Sequence, residues 1–148
     1  MLLRCVASLI VTALLGGCWG GLLGDSSNTH AYRISGRPTS TEREEVKSIV
    51  SAVARHTGYL PAQWPSWIPG GLAFYQSPPL DKYASYLGAH ADGNSILVAV
   101  DGAFGPYISR VEKADARLRQ ELMAHFGSRV AAARDWKYTF AYRRTKAP

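Results

Sequence analysis

Two segments of this chain have the spacing of amphipathic helices, and they constrain the fold more than any other feature. The first lies between Thr39 and Gly58, and its apolar positions are Val46, Ile49, Val50 and Val53. The second lies between Ser109 and Gly127, and its apolar positions are Val111, Ala114, Leu118, Leu122 and Phe126. Each helix has a single apolar stripe, so each must bury one face against another element.

Local signals predict where these helices begin and end. A Ser or Thr followed three residues later by Glu has the spacing of a capping box, in which side chains bond to the free backbone N–H groups of the first turn. The chain has this spacing at Thr39/Glu42, Thr41/Glu44 and Ser109/Glu112. Gly58 and Gly127 follow the apolar stripes and predict the two helix ends.

Five further segments are typical of β-strands: 31–35, 72–76, 83–90, 95–100 and 136–143. Between the third and fourth, Asp92-Gly93 predicts a tight hairpin. The uninterrupted apolar run from Ile96 to Val100 is typical of a central strand covered on both sides. In the last segment Trp136, Tyr138, Phe140 and Tyr142 alternate with other residues, a clear period of two.

The order of these elements predicts an α+β fold. The order is strand, helix, two hairpin-linked strands, helix and strand. It matches the βαββαβ order of a ferredoxin-like sandwich, with two helices on one face of an antiparallel sheet. Residues 72–76 are one strand too many for that order, and we assign them to an additional edge strand. We therefore expect one α+β domain over residues 30–148, a length that suits a single hydrophobic core.

The N-terminus has the pattern of an export signal. Arg4 is followed by eleven uncharged residues from Cys5 to Leu15, which is too short for a membrane span of roughly 20 residues. The following Leu15-Gly16-Gly17-Cys18 resembles the lipobox of bacterial lipoproteins, in which the cysteine is acylated and becomes the new N-terminus. The resemblance implies a signal peptide over residues 1–17 and lipidation at Cys18. An ordinary cleaved signal, or a buried helix with an incidental cysteine, is the alternative.

The same resemblance predicts where the protein lies. A lipidated Cys18 anchors the chain to a membrane, because two or more acyl chains hold stably where one does not. Residue 19 influences sorting among Gram-negative lipoproteins, and Trp19 is not the Asp that commonly retains them at the inner membrane. We therefore expect the outer membrane, with the domain facing the periplasm. Residues 18–29 are rich in Gly, Ser and Asn and predict a flexible tether that reaches roughly 20 Å.

Charge indicates the surroundings that the protein meets. The chain carries a net charge of +6, with 17 basic and 11 acidic residues. In the periplasm such a protein meets anionic headgroups, lipopolysaccharide phosphates and peptidoglycan before any nucleic acid. Contact with peptidoglycan or another glycan is therefore plausible, whereas nucleic-acid binding is not expected. The basic residues at 143–146 could serve such a contact, although a solvated tail is the simpler interpretation.

The sequence shows no familiar catalytic pattern. Loss of Cys5 with the signal and acylation of Cys18 would leave no free thiol, and no Ser lies in a G-x-S-x-G elbow. The four histidines lack the spacing of a metal site, and no cofactor is implied. One alternative remains, a metal-dependent enzyme or sensor in which His90, Asp92 and Asp101 converge at the hairpin.

A loop after the first helix is the most distinctive part of the domain. Residues 59–71, "YLPAQWPSWIPGG", combine three prolines with Trp64 and Trp67. Tryptophan offers a large contact area at low entropic cost, so both rings are candidates for binding a ligand or partner. The simpler interpretation is that one or both rings plug the open end of the sandwich after the first helix, because a domain without disulfides gains stability from aromatic burial. We therefore expect a non-catalytic, lipid-anchored adaptor of an envelope assembly, or a related immunity or inhibitor protein.

Overall fold

The structure of the domain is a computed structural model, which describes residues 29–64, 66, 69–78, 85–101 and 108–133. In chain order the elements are β1 (His30–Ser35), α1 (Ser40–Thr57), β2 (Leu60–Pro61), β3 (Gly71–Gln76), β4 (Tyr86–Ala91), β5 (Ser95–Asp101), α2 (Ile108–Phe126), a 3-10 turn (Gly127–Arg129) and β6 (Val130–Ala132). The predicted signal segment, the predicted tether up to residue 28 and the predicted strand at 136–143 lie outside the described residues. The observed class is α+β, as expected.

The first helix follows its predicted signals. Thr39 is the N-cap of α1, and its hydroxyl accepts the N–H of Glu42 while the Glu42 carboxylate accepts the N–H of Thr39, which completes the capping box. Gly58 ends the helix in the left-handed region at φ 75°, where a side chain would be strained. The predicted stripe is buried, with Ala54 in addition.

The second helix buries all five predicted apolar positions. Its start differs from the expectation, since α2 already includes Ile108 and Ser109 lies within it. The capping box predicted at Ser109/Glu112 is therefore wrong, because an N-cap residue stands outside the helical turn. Both helices contact each other, and their buried side chains form one core with Tyr32, Ile34, Leu87 and Ile96 of the sheet.

All strand pairs in the described part of the chain are antiparallel, and the sheet has the order β2-β3-β4-β5-β1-β6. The Asp92-Gly93 hairpin joins β4 to β5 as predicted, with the Asp92 N–H donating to the Ser95 carbonyl at 3.0 Å. All seven residues of β5 are buried, which confirms a central strand covered on both sides. The short β6 beside β1 was not predicted, because three residues are too few to show a period.

The sheet has a second face, opposite the helices, that is also apolar. Alternate residues of the strands point to it. Three of them, with Ala133 directly after β6, form a separate buried cluster of small and aliphatic side chains: Ala31, Leu97, Ala99 and Ala133. Trp64, Phe74 and Tyr86 pack against this cluster. The fold therefore has a large core under the helices and a smaller one on the second face.

Candidate functional site

Four rings form an aromatic cluster on the second face, and we define it as Trp64, Phe74, Tyr86 and His90. Trp64 meets Phe74 edge to face with ring centroids 5.8 Å apart, and its ring lies 6.2 Å from that of His90. Phe74 stacks on Tyr86 at 5.5 Å with an interplanar angle of 9°. Such arrangements stabilise beyond simple burial, by about 0.5–1.5 kcal/mol for each pair.

Strand register explains why these rings meet. In β4, Leu87, Ala89 and Ala91 point into the core under the helices, so Tyr86 and His90 point to the second face. Phe74 lies opposite Gly88 in the neighbouring strand. Gly88 therefore presents no side chain to the second face between Tyr86 and His90.

Two glycines set the position of Trp64. A Cβ atom on Gly71 would lie 2.2 Å from the Trp64 ring, so the indole rests directly on the backbone of β3. At Gly70, with φ +75°, a Cβ atom would lie 2.0 Å from the Ala91 carbonyl oxygen, and the Ala91 N–H donates to the Gly70 carbonyl at 2.8 Å. The turn before β3 is thereby held against the end of β4, and Trp64 lies half-buried beside it.

The two predicted tryptophans have different outcomes. Trp64 is half-buried against the small cluster on the second face of the sheet, so its ring contributes to packing, as the plug interpretation expects of one or both rings, and it lies on a sheet face. Trp67 lies outside the described residues. A binding role for Trp64 and Trp67 stays a prediction, and the structure adds Phe74 and His90 as neighbours of Trp64, with Tyr86 stacked on Phe74. The alternation of side chains along a strand predicts which neighbours in its own strand share a face with Phe74 or with Tyr86. Only the pairing of β3 with β4 brings the two rings together.

The metal alternative fails on geometry. Asp92 lies in the hairpin turn, whereas Asp101 ends β5 opposite Tyr86, about 20 Å away along a seven-residue strand. His90 belongs to the aromatic cluster. The three residues therefore do not converge, and no other group of three metal-binding side chains occurs within the described ranges.

Asp92 instead stabilises the hairpin. Its carboxylate accepts the N–H groups of Asn94 at 2.8 Å and Ser95 at 2.6 Å, and the Ser95 hydroxyl. Burial raises the pKa of Asp92, but these hydrogen bonds and the nearby Arg33 outweigh it, so the pKa lies below its usual value. An ionised Asp92 with these partners is a turn residue.

A polar contact that the sequence did not reveal joins α2 to β1. The Tyr32 hydroxyl donates to Asp115 at 2.5 Å, and His30 Nδ1 lies 3.4 Å from the other carboxylate oxygen of Asp115. Burial, and then the hydrogen bond to Asp115, raise the pKa of Tyr32 well above its usual value. Tyr32 therefore stays protonated and acts as a fixed donor, a role in holding the helix on the sheet.

The other described histidines make local contacts. His56 Nδ1 lies 3.0 Å from the Ala52 carbonyl in its own helix. His125 Nδ1 lies 2.6 Å from Glu45 Oε1, which links the end of α2 to α1. Neither contact pairs a histidine with a hydroxyl nucleophile.

A groove of about 430 Å³ separates α1 from the edge hairpin of β2 and β3. Its apolar wall includes Pro61, Leu72 and Tyr75, and its rim carries an ion pair between Lys47 Nζ and Glu44 Oε1 at 2.7 Å. Because those charges offset each other, the groove presents little net charge to a ligand. The aromatic cluster is the stronger candidate for a contact surface.

In comparisons with known protein families, curated proteins and solved structures, no match to this chain was found. Within the described ranges, neither helix has the length and apolar character needed to cross a bilayer.

Proposed function

We propose that this protein is a lipid-anchored lipoprotein of the bacterial outer membrane, whose domain faces the periplasm and binds an envelope protein without catalysing a reaction. The observation that carries the proposal is the lipobox-like Leu15-Gly16-Gly17-Cys18 directly after an eleven-residue apolar stretch. Small residues before the cysteine suit an extended peptide in a peptidase groove, and the Cys18 thiol is the group that takes up lipid. Trp19 favours the outer membrane.

The aromatic cluster supports a binding role. Trp64 combines a half-buried position with a large amphipathic ring, the type of residue that dominates interface energies. It is held by Gly71 and Phe74, so little conformational entropy is lost when a partner covers it. A rigid aromatic surface of this kind suits contact with a protein or with a glycan such as peptidoglycan, and the protein partner is the one we favour.

A ferredoxin-like fold is part of the proposal. The order β4-β5-β1-β6 within the sheet supports it, because β5 and β6 run parallel on either side of β1 and are joined by α2. Likewise β1 and β4 run parallel on either side of β5. The connection from β1 to β4 contains β2 and β3 in addition to α1, so these two strands are an edge addition. Such a fold hosts many activities and does not identify this one.

Replacement of Cys18 tests the anchor, and Cys5 provides a matched control within the same segment. In cells supplied with labelled palmitate, we expect the natural chain and Cys5→Ser to incorporate label and fractionate with the outer membrane. Cys18→Ser should incorporate none, because the acceptor thiol is gone. Equal labelling of Cys18→Ser and Cys5→Ser would contradict the lipoprotein assignment.

In-cell crosslinking of a C-terminally tagged chain, analysed by mass spectrometry, tests the binding role. One envelope protein should be captured repeatedly by the natural chain. Trp64→Ala and Trp67→Ala should lose that capture while remaining folded, whereas Met123→Ala, which alters an exposed apolar side chain on α2, should retain it. Capture that persists in both tryptophan variants would remove the aromatic surface from the proposal.

A further inference from the structure

One end of the domain is connected to the tether, and we call it the tether end. The described chain starts there at Thr29, whose hydroxyl donates to Asp101 Oδ1 at 2.6 Å, at the end of β5. The end of α1, the strand β2 and the start of α2 lie at the same end, because β2 pairs with the last residues of β3 and Arg110 of α2 donates to the Pro78 carbonyl at 3.1 Å. Its exposed and half-buried side chains include Arg55, Leu60, Ile108, Arg110 and Lys113.

The tether end combines apolar and cationic side chains. Leu60 is 47% exposed and Ile108 is 36% exposed, and they are two of the three exposed large hydrophobic residues in the described part of the chain. Arg55, Arg110 and Lys113 add three cations, against the exposed Glu112 and the half-buried Asp115. Exposed apolar groups beside cations are the composition of surfaces that lie at the interface of an anionic bilayer.

The opposite end of the domain has two ion-paired contacts and the exposed cation Arg37. There Arg129 forms an ion pair with Glu42, and His125 contacts Glu45. At the tether end neither Arg55 nor Lys113 forms an ion pair with any residue in the described ranges. Both ends thus carry exposed cations, and the tether end is distinguished by having Leu60 and Ile108 exposed beside its cations.

The length of the tether keeps this end near a membrane. Ten residues separate Cys18 from Thr29, and a flexible chain of that length spans roughly 16–19 Å on average. The helix α2 has 19 residues and extends about 28 Å from the tether end. Of the two ends of the domain, the tether end therefore meets the membrane surface more often.

We infer that the tether end is a membrane-docking surface that binds anionic lipid headgroups through Arg55, Arg110 and Lys113 and inserts Leu60 and Ile108 into the interface. This inference rests on the proposed lipid anchor, which brings the surface to the bilayer. It assigns the membrane to one end of the domain and leaves the aromatic cluster of the second face for a partner.

Two equally exposed residues allow a matched test. Leu60 at the tether end and Met123 near the other end of α2 are each 47% exposed. The mature lipidated chain carries an environment-sensitive fluorophore at Leu60→Cys or at Met123→Cys. It is incorporated into vesicles of phosphatidylglycerol and phosphatidylethanolamine, or into vesicles of phosphatidylcholine alone. We expect a blue shift of the Leu60→Cys label on the anionic vesicles only, which is reversed by high salt, and no shift of the Met123→Cys label.

Substitution of one cation tests the electrostatic part. Lys113→Ala should lower the ratio of docked to undocked domain about fivefold, because a basic residue near an anionic membrane contributes about that factor. Arg37→Ala, an exposed cation at the opposite end, should leave the ratio unchanged. Equal responses of the two labels, or equal effects of the two substitutions, would overturn the docking surface.

The two proposals fail in different ways. Loss of the chain from phosphatidylcholine vesicles during flotation would contradict the lipid anchor, whereas a Leu60→Cys label that shifts on anionic vesicles would still support docking. A chain that floats with both vesicle types, but whose Leu60→Cys label never shifts, would retain the anchor and overturn docking. A label that shifts in whole cells but not on vesicles would assign this surface to a protein and would also overturn docking.

Discussion

At the scale of single residues, small side chains decide where the aromatic groups lie. Trp64 occupies the space above Gly71, and Phe74 lies opposite Gly88, which has no side chain. Among polar side chains, the role of Asp92 is also set locally, because its hydrogen bonds to Asn94 and Ser95 stabilise the hairpin and do not hold a metal. Which residue type a position tolerates therefore depends on the atoms that the fold places directly over it.

Gly71→Ala should destabilise the domain, because the added methyl group would overlap the Trp64 ring. We expect a loss of about 1–3 kcal/mol in the free energy of unfolding, measured in urea. Gly93→Ala is the matched control, since nothing lies within 4 Å of a Cβ atom there, and it should change stability by less than about 0.5 kcal/mol. In the background of Gly71→Ala, replacing Trp64 with Ala should cost less than it does alone. Independent effects of the two substitutions would contradict this packing.

At the scale of elements, Glu42 connects three parts of the domain. It completes the capping box of α1 with Thr39 and forms an ion pair with Arg129, whose Nε also donates to the Ser35 carbonyl of β1 at 2.8 Å. The hydrogen bond from the Thr39 N–H, and then that from Arg129, lower the pKa of Glu42 to about 2. One carboxylate therefore ties the start of α1 to the turn that follows α2.

The lowered pKa of Glu42 predicts a pH dependence of stability. A carboxyl group whose pKa is lower in the folded state stabilises above its unfolded pKa, and that stabilisation is lost as the pH falls from about 4.5 to about 2. Glu42→Gln should remove this part of the acid dependence, at a cost of about 0.5 kcal/mol near neutral pH. Urea unfolding across that pH range checks both effects. Glu44→Gln is the control, because the Glu44 side chain is 70% exposed, and an equal change in that variant would argue against the Glu42 contacts.

At the scale of the whole molecule, a sheet with apolar side chains on both faces holds the domain together. The core under the helices contains Leu118 and Leu122, and the second face carries Ala31, Leu97 and Ala99. If Cys18 is acylated and Cys5 is removed, stability comes from this packing without disulfides. A tether at one end and an aromatic cluster on the second face would then separate membrane contact from partner contact.

Unfolding of the domain should be cooperative, and its free energy should depend on the packing of the core under the helices. Leu118→Ala, at a fully buried position, should cost about 2–5 kcal/mol, whereas Met123→Ala on the same helix should change stability by less than about 0.5 kcal/mol. Circular dichroism and tryptophan fluorescence should follow one transition in both variants. Separate transitions for the two signals would show that helices and sheet do not unfold as one unit.

Local patterns in the sequence determined the two helices and the hairpin, because their physical causes lie within a few residues. The structure confirms the capping box of Thr39 with Glu42 and the apolar stripe from Val46 to Val53. Both were predictable because a helix repeats every 3.6 residues and its first turn is capped by side chains a few residues away. The hairpin at Asp92-Gly93 is confirmed, and it was predictable because a tight turn depends on the residues within the turn. The capping box at Ser109 failed because the helix starts earlier than its local signal indicates.

Only the tertiary structure decided which of these elements meet. Pairing of β3 with β4 brought Phe74 and Tyr86 together, and the close approach of Trp64 to Gly71 placed its ring beside Phe74. The length of β5 kept Asp101 far from Asp92. The contacts of Asp115 with Tyr32 and of Arg129 with Glu42 join residues 83 and 87 positions apart. Such contacts depend on which elements become neighbours in the fold. A hydrophobic period does not encode that choice, because the same period is compatible with any neighbouring element.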